Sequence, residues 1–450
     1  MALTKEIIAK TLATPMGERA YKVAETLFDA GFDTWWVGGA VRDMMLGTIP
    51  EDIDVATEAL PEQICTLFKR CDRTHTAFGS VRVPAGKELF EVTTFREDDE
   101  ASDGRHPESV VFGKREKDAK RRDFTFNAIY WHPISGELYD PFHGEDDLKE
   151  KIVRFIGDPA IRIKHDALRM FRAVRFRAQI DGQYHPETYR ALQELAETVE
   201  ILSGSRQLEE VEKMLRCAHP NRAYEDLWEL RTLTFFLPEL YAMKGIPQPA
   251  DYHHEGDVWE HTMKCIASFR PEDDDDVRLA TLFHDTGKVE TFSLKERIRF
   301  DRHATISSEI AEKALRRLQC PGKRIEKVSW IIKHHMMMST FGELTDERKA
   351  HWYFHPYFRD LLRLFELDIA GTDPGNYHLY DSILKDYHAF LDRHPRPKKP
   401  LLTGQDVMEI LGLQPGERVG ELLKRLHDAQ IRGEVTTKEE ARVFLGKQAP

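Results

Sequence analysis

The segment that most constrains this chain is GGAVRDMMLGTIPEDIDV, residues 38–55. It follows TWWV, an apolar run typical of a buried strand, and its glycine pair indicates a tight turn into a short helix. Asp52 and Asp54 flank Ile53, so on a strand both carboxylates point to the same face. Two neighbouring acids repel each other unless a cation lies between them. The pattern predicts a metal site, suited to Mg²⁺ and nucleotide phosphates, at a strand end.

The bulk composition bounds the remaining possibilities. A chain of 450 residues is too long for one core, which predicts roughly two to four domains. Its net charge of −12 argues against binding nucleic acid through overall charge but allows a local basic groove. Five scattered cysteines without a CxxC motif disfavour a disulfide framework or a zinc finger and fit a reducing cytoplasm. No apolar run has the length of a membrane span, so no membrane partner is expected.

The order of strand-like and helix-like segments predicts the domain organisation. Strands mix with helices over the first 150 residues, which predicts an α/β head with a small mixed sheet, and strand signals nearly vanish afterwards. Two stretches rich in proline, 238–257 and 393–404, predict linkers. The predicted regions are a catalytic head over 1–150, a helical neck and body over 151–240, a helical domain over 241–390 and a helical tail over 391–450.

Other polar residues near the DxD motif suit phosphate binding. Gly38 and Gly39 let the backbone come close to a ligand, so their N–H groups can face phosphate oxygens. Arg42 lies one helical turn later and can reach a phosphate. Glu91, on a neighbouring predicted strand, is a candidate third carboxylate, and the alternative is an acid paired with Arg96. Together these residues predict a site for a nucleoside triphosphate.

The segment KRRDFTFNA, residues 120–128, adds a second polar group. It contains Arg122, Asp123 and Asn127, and the last two are four residues apart, so they share a face if the segment is helical. The functional interpretation is contact with the triphosphate and the ribose. The alternative is a capped helix start with basic neighbours.

The segment HDALRMFRAVRFRAQ, residues 165–179, predicts a helix with a polar stripe. Its members are spaced by three residues: Asp166, Arg169, Arg172 and Arg175. A solvated charged face is the alternative interpretation. A carboxylate and a guanidinium at this spacing also suit base recognition, because cytosine and adenine both offer an amino group beside a ring acceptor. We therefore predict that Asp166 accepts from the amino group and Arg169 donates to the ring, which rejects guanine and uracil.

Six segments in order, GGAVRD…DID, EVTTFR, DGRHP, RRDFTFNA, DPFHGEDDL and DALRMFRAVRF, resemble the class II tRNA nucleotidyltransferases. That family includes bacterial CCA-adding enzymes and poly(A) polymerases, and the resemblance covers residues 20–215. It implies a DNA polymerase β-like head, with Mg²⁺ on Asp52 and Asp54. It also implies the tRNA 3′ end, CTP and ATP as partners, and no DNA. The implied nucleotide contacts are Gly39, Arg42, Arg122, Asp166, Arg169, Arg172 and Arg175.

Three features bear on nucleotide specificity within this resemblance. His165 stands where the family usually has an acid, beside the base-selecting Asp166. Residues 203–215 follow the family's next motif only loosely. The loop at 97–109 has full length, whereas relatives that add only CC tend to have a shortened one. The expected activity is addition of CCA, or only of its terminal A, and the alternative of the same class is a poly(A) polymerase.

A second set of residues, between 258 and 370, resembles the HD superfamily of metal-dependent phosphohydrolases. Its members are His261, His284, Asp285, His303, His334 (adjacent to His335) and Asp368. Imidazole with carboxylate suits a transition metal such as Mn²⁺, Ni²⁺ or Fe²⁺. The resemblance implies phosphoester hydrolysis, and the alternative is a domain kept as a scaffold for RNA. A phosphohydrolase whose head only binds RNA is the alternative of another class. Basic residues of the tail are expected to contact RNA, and the alternative is a solvated helical face: Lys398, Lys399, Lys424, Arg425 and Arg432.

Overall fold

The structure, a computed structural model, describes residues 3–74, 76, 79–97, 111–249, 253–294, 297–393, 400–431 and 434–447. The chain divides into two compact units, residues 1–241 and 242–450. Nearly all of the loop whose length bears on specificity, 98–109, lies outside the described residues. The same holds for three of the basic tail residues, Lys398, Lys399 and Arg432.

The first unit combines short strands with helices. Its strands are β1 (Thr34–Val37), β2 (Asp54–Thr57), β3 (Ser80–Ala85), β4 (Glu88–Thr94), β5 (Arg96–Glu97), β6 (Val111–Phe112), β7 (Tyr130–Trp131), β8 (Leu138–Tyr139), β9 (Ile152–Val153) and β10 (Gln183–Tyr184). Its helices are α1 (Lys5–Leu12), α2 (Pro15–Asp29), α3 (Gly39–Met45), α4 (Pro61–Leu67), α5 (Arg115–Arg121), α6 (Gly144–Lys149), α7 (Pro159–His165), α8 (Leu168–Gln179), α9 (Pro186–Glu194), α10 (Gly204–Arg216), α11 (Pro220–Glu229), α12 (Leu233–Phe236) and α13 (Pro238–Tyr241).

Six strands form the main sheet, in the order β3-β4-β2-β1-β7-β8. Only β2 and β4 run parallel, and the other neighbours are antiparallel, so the sheet is mixed as expected. All four residues of β1 are buried, which explains the apolar TWWV segment. Trp36 meets Trp131 of β7 edge to face, with ring centroids 5.1 Å apart. The strand that leads into the glycine turn is therefore the buried centre of the head.

Helix α2 shows how the sequence builds the layer beside this sheet. Thr14 caps its first turn by accepting a hydrogen bond from the Gly17 N–H, and Pro15 occupies the first helical position, where no N–H is needed. Residues at helical spacing are buried: Ala20, Val23, Ala24 and Leu27. Burial of one apolar stripe fixes the helix against the protein interior.

The second unit is mostly helical. Its helices are α14 (Val258–Ala267), α15 (Asp275–Phe283), α16 (Lys288–Thr291), α17 (His303–Arg317), α18 (Gly322–His334), α19 (Asp346–Tyr353), α20 (Phe358–Gly371), α21 (His378–Arg393), α22 (Gly404–Leu411), α23 (Glu417–Ile431) and α24 (Lys438–Gly446). An antiparallel ribbon of β11 (Phe292–Leu294) and β12 (Ile298–Phe300) interrupts the helices. The sequence pattern predicts only helices in this region and misses this ribbon. The last three helices share an apolar cluster that includes Val407, Leu422 and Leu445.

Two further expectations concern cysteines and membranes. Cys65 and Cys71 are joined in a disulfide, which differs from the sequence-based expectation of unpaired thiols. The chain turns back after α4, which brings their Cα atoms to 5.5 Å, and spacing alone did not indicate this turn. Within the described part of the chain, no helix combines the length and the apolar character needed to cross a membrane.

Candidate functional site

The glycine turn after β1 forms the floor of the first site. Gly38 has φ 70° and ψ −128°, a conformation that favours glycine. A Cβ atom at this position would lie 3.5 Å from Arg122 Nη1 and 4.0 Å from Asp54 Oδ2. A Cβ atom on Gly39 would lie 3.6 Å from Arg42 Nη2. The turn therefore presents its backbone between two guanidinium groups and a carboxylate.

Three carboxylates meet beside this turn. The parallel pairing of β2 with β4 sets Val55 opposite Val92, so the preceding residues, Asp54 and Glu91, are neighbours across the two strands. Burial, with repulsion from Asp52 and Glu91, raises the pKa of Asp54 to about 6, although Arg122 acts in the opposite direction. The acids repel one another, and a divalent cation relieves that repulsion.

Arg122 is held by a buried group that the sequence pattern did not predict. Its Nε donates to the Tyr130 hydroxyl (2.9 Å) and its Nη2 donates to Asp118 Oδ2 (3.1 Å). The Tyr130 hydroxyl and Arg121 Nε also donate to Asp118, at 2.6 and 2.8 Å. Burial raises the pKa of Asp118, but Arg122 and Arg121 outweigh this effect and lower it to about 2. The ionised Asp118 thus orients Arg122 beside Gly38.

A chain of hydrogen bonds joins α3 to α8, and we call it the Arg42–Arg172 chain. Arg42 Nη1 donates to Asn127 Oδ1 (3.0 Å), and Asn127 Nδ2 donates to Asp123 Oδ1 (2.9 Å). Arg172 Nε then donates to Asp123 Oδ2 at 2.7 Å. The Phe176 ring lies beneath three guanidinium groups, with centroid distances of 4.8, 5.3 and 4.6 Å to Arg42, Arg172 and Arg175.

Asp123 and Asn127 meet for a different reason from the predicted one. The segment is not a regular helix: α5 ends at Arg121, Asp123 lies in the following loop, and a short 3₁₀ turn covers Thr125–Asn127. Their contact comes from the turn rather than from helical spacing. Burial raises the pKa of Asp123, but the charge of Arg172 outweighs it and lowers the pKa to about 2.

The predicted polar stripe that contains Asp166 and Arg169 is broken. α7 ends at His165, Asp166 is extended, and α8 begins at Leu168, so Asp166 lies off the helix that carries the arginines. Its Oδ1 accepts from the Leu168 N–H (3.2 Å) and lies 3.9 Å from Arg206 Nη2. Both Asp166 and Arg169 stay partly exposed, and His165 is exposed. The pair remains accessible to a base at the break between two helices.

Helix α10 supports the arginines of α8. Arg175 Nε donates to Glu210 Oε2 at 2.9 Å, and Glu210 is buried. Arg169 is oriented from another direction, because its Nη1 donates to the carbonyl oxygen of Arg162 at 2.9 Å. The loosely matched segment 203–215 thus supplies Arg206 and Glu210.

A second site lies within the second unit, where most of the predicted histidines and aspartates converge. His261 Nε2 lies 2.9 Å from Asp368 Oδ1, and His284 Nε2 lies 3.3 Å from Asp285 Oδ2. Asp285 Oδ1 lies 3.5 Å from His303 Nε2, which places Asp285 between two groups of side chains. Among the described residues, the possible metal ligands form three sets: His261, Cys265, His284 and Asp368; His253, Glu255 and His261; and Asp285, His303 and His335.

His334 is not part of this cluster, and His335 takes its place. His335 Nε2 lies 3.3 Å from His303 Nε2 and the side chain is buried. His334 instead packs against Trp330 at a tilt of 42°, with ring centroids 4.5 Å apart, and its Nδ1 donates to the Trp330 carbonyl oxygen. The prediction of His334 as a ligand was wrong because the buried face of α18 continues through Ile331 and Ile332 to residue 335.

The charges of the second site favour a cation. Burial lowers the pKa of His335 to about 4, which keeps its imidazole neutral, the form that binds metals. Burial also lowers the pKa of His284, but Asp285 outweighs it and raises the pKa to about 10. A cavity of about 550 Å³ opens onto the cluster, and its lining includes Lys288, Arg297 and Arg299. An anion fits beside this metal-ligating group.

Comparison with known proteins identifies three domain families along the chain. Family models match residues 34–154 (Poly A polymerase head domain), 183–243 (probable RNA and SrmB-binding site of polymerase A) and 252–351 (HD domain). An A-adding tRNA nucleotidyltransferase of Deinococcus radiodurans is 31% identical over 437 residues, covering 92% of this chain and 95% of that protein. The chain belongs to the tRNA nucleotidyltransferase family. It is an enzyme of the nucleotidyltransferase class.

Other members of the tRNA nucleotidyltransferase family are similar over different lengths. A CC-adding tRNA nucleotidyltransferase of Thermus thermophilus is 31% identical and covers 92% of this chain and 93% of its own. Poly(A) polymerase I of Escherichia coli O157:H7 is 36% identical over 50% of this chain and 51% of its own. The crystal structure of the Bacillus stearothermophilus CCA-adding enzyme in complex with CTP has a TM-score of 0.71 and 26% identity, over 97% of this chain and 98% of its own.

Divalent metals are general in the tRNA nucleotidyltransferase and HD families, and the residues here fit them. The acids around Asp54 offer the oxygen ligands that Mg²⁺ prefers. In the second unit His284 Nε2 is buried and makes no hydrogen bond within the described part of the chain, as expected of a nitrogen that binds a metal. Residues that sequence reasoning missed are Asp118, Tyr130, Phe176, Glu210, Glu255, Cys265 and His335.

Proposed function

We propose that the first unit adds nucleotides of the CCA sequence, in full or only the terminal A, to the 3′ end of tRNA from CTP and ATP. The Arg42–Arg172 chain is the observation that supports this most strongly. It connects the glycine turn, beside the carboxylates, with the helix that follows Asp166. A nucleoside triphosphate whose base binds Asp166 and Arg169 would therefore have its phosphates beside the carboxylates of the glycine turn. With tRNA and nucleotides as substrates, we place the reaction in the cytoplasm.

Each group has a separate task in this proposal. Asp52, Asp54 and Glu91 would hold Mg²⁺, which when bound neutralises the triphosphate and activates the attacking hydroxyl. Arg42, Arg122 and the N–H groups of the glycine turn bind phosphate oxygens. The 3′-hydroxyl of tRNA attacks the α-phosphate and pyrophosphate leaves.

Base selection in this proposal depends on hydrogen-bond polarity. The Asp166 carboxylate accepts from the amino group of cytosine or adenine, and the Arg169 guanidinium donates to the adjacent ring acceptor. The Arg162 carbonyl contact leaves the rest of the Arg169 guanidinium for the base. Guanine and uracil present the opposite polarity and are rejected.

Two tRNA transcripts test which nucleotides are added. One ends before CCA and the other ends after CC, and each is incubated with one labelled nucleoside triphosphate at a time. CMP addition to the first transcript indicates an enzyme that adds C, and AMP addition to the second alone indicates an A-adding enzyme. An unrelated RNA tests the poly(A) polymerase alternative, because long AMP tails on it would contradict tRNA specificity.

A second activity is favoured by the site in the second unit. We propose that this site hydrolyses phosphoesters, with a transition metal such as Mn²⁺, Ni²⁺ or Fe²⁺ on the histidines and aspartates. The cavity supports this function, because Lys288 and two arginines of its lining can bind a phosphate. Replacing His284 and Asp285 with alanine should abolish metal-dependent phosphatase activity and spare nucleotide incorporation. Loss of both activities would indicate that this site is structural.

A further inference from the structure

A cysteine lies among the metal-ligating side chains of the second unit. Cys265 is one helical turn after His261 on α14, so both side chains lie on the same helix face. Its Sγ is 3.5 Å from His261 Nε2, and the residue is fully buried. Ligand atoms of four side chains lie within 4.8 Å of one another: His261, Cys265, His284 and Asp368.

The distance between the nitrogen of His261 and the sulfur of Cys265 matches two donors of a shared metal ion. A tetrahedral Zn²⁺ has nitrogen ligands at about 2.0–2.1 Å and thiolate at about 2.3 Å, which separates the two donors by about 3.5 Å. That separation is the one between His261 Nε2 and Cys265 Sγ. The set also contains the buried His284 Nε2, which makes no hydrogen bond to any described residue.

The packing of α20 against α14 fixes the thiol in this position. Gly371 lies one turn after Asp368 on α20, and a Cβ atom there would overlap Cys265 Sγ and lie 2.9 Å from the His261 carbonyl oxygen. The absence of a side chain at 371 therefore lets the two helices approach closely at the ligands. The Cys265 thiol therefore lies where α14 and α20 come together, beside the ligand atoms of His261 and Asp368.

We propose that the Cys265 thiolate is a metal ligand, giving one metal position a mixed donor set of two imidazoles, one carboxylate and one sulfur. This rests on the proposed metal centre of the second unit. On binding, the thiol releases its proton to solvent and sulfur donates an electron pair to the metal. A soft sulfur donor favours Zn²⁺, Co²⁺ or Fe²⁺ over Mn²⁺ or Mg²⁺. The ions expected at this position are therefore softer than an all-nitrogen-and-oxygen set would select.

Cobalt spectroscopy tests this ligand without measuring activity. The full chain is stripped with a chelator, reloaded with Co²⁺ and compared with Cys265→Ser and with the matched control Cys320→Ser, a buried thiol of the same unit. The wild type and the control should show visible d–d bands and a near-ultraviolet thiolate-to-cobalt band. Cys265→Ser should keep the d–d bands and lose the charge-transfer band. When Zn²⁺ and Mn²⁺ compete for the site, the preference of Cys265→Ser for Zn²⁺ over Mn²⁺ should also be lower than that of the wild type by at least about tenfold.

The outcomes separate this inference from the proposed metal centre. Visible bands without a charge-transfer band in the wild type, or an unchanged band in Cys265→Ser, would overturn the cysteine ligand and leave the metal centre standing. Failure of the wild type to bind Co²⁺ would overturn both. If Cys265→Ser does not fold, X-ray absorption of the zinc-loaded wild type decides instead. Zinc–sulfur scattering supports the proposal, and a shell of nitrogen and oxygen alone overturns it.

Discussion

Arg172 and Asp123 form a close ion pair in which two guanidinium nitrogens approach one carboxylate oxygen. Nε lies 2.7 Å and Nη2 lies 2.6 Å from Asp123 Oδ2. The other oxygen, Oδ1, accepts from Asn127 Nδ2 and from the Phe124 N–H. One carboxylate thus joins helix α8 to the loop that positions Arg42. Asp123 thus connects Arg42, which is proposed to bind phosphate, with the helix that follows Asp166.

Replacing Asp123 with asparagine should weaken both the fold and the reaction. Losing charged hydrogen bonds to Arg172 is expected to cost about 1–3 kcal/mol of unfolding free energy. Nucleotide incorporation should fall by more than the loss of stability explains, because Asp123 holds both Arg172 and Asn127, and Asn127 in turn accepts from Arg42. Urea unfolding and single-nucleotide incorporation measure the two effects. Asp181→Asn is the control, since the Asp181–Arg222 pair is more exposed and worth at most about 1 kcal/mol. Equal effects of the two variants on incorporation would contradict this role.

Asp118 should make the stability of the first unit depend on acid pH. Its folded pKa of about 2 is below the ordinary value of 3.8, so the ionised form stabilises the fold. This contribution, about 2 kcal/mol, is complete above about pH 5 and is lost progressively as the pH falls toward 2. The difference in unfolding free energy between the wild type and Asp118→Asn should therefore shrink between pH 5 and pH 3. A difference that stays constant over this range would refute the assignment.

Gly38→Ala should impair the reaction more than the fold. A side chain here is strained by the positive φ and would be 3.5 Å from Arg122 Nη1. Gly136→Ala is the matched control, because its φ is 75° but no atom lies within 4 Å of the added Cβ. Both variants should lose about 1 kcal/mol or more through backbone strain. Only Gly38→Ala should raise the KM for nucleotide, and a similar rise in both would mean that the turn does not contact the triphosphate.

Asp166→Asn should relax base selection. An asparagine amide both donates and accepts, so UTP and GTP should be incorporated at least about tenfold more readily relative to CTP and ATP. Asp158→Asn serves as the control, because Asp158 caps α7 and asparagine caps equally well. Incorporation of each labelled nucleotide by the two variants measures this. Unchanged selectivity in Asp166→Asn would place base recognition elsewhere.

Local sequence signals predicted those parts of the sites that adjacent residues build. The TWWV strand, the glycine turn and the two acids follow one another along the chain, so spacing alone placed Asp52 and Asp54. Periodicity also carried the information for His335, because the buried positions of α18 continue through Ile331 and Ile332. Because His334 and His335 are adjacent, the sequence alone did not show which of the two faces the metal ligands.

Contacts between distant segments could not be read from spacing. Asp118 and Arg122 are four residues apart, but the Tyr130 hydroxyl that bonds to both comes from a later strand, and nothing near Asp118 in the chain indicates that. Cys265 enters the metal-ligating set because α20 approaches α14 at Gly371, more than a hundred residues away. Asp166 does not lie on the predicted stripe, because its extended backbone separates α7 from α8. These relationships require the tertiary structure.

The nucleotidyl-transfer site is tested most directly by 3′ extension of a tRNA transcript that ends before CCA or after CC. The wild type and Asp52→Asn/Asp54→Asn are each offered labelled CTP and ATP with Mg²⁺. We predict extension by the wild type and none by the double variant, because the remaining carboxylate cannot hold the metal and the triphosphate together. Extension that survives the double substitution would contradict the nucleotidyl-transfer site at the glycine turn.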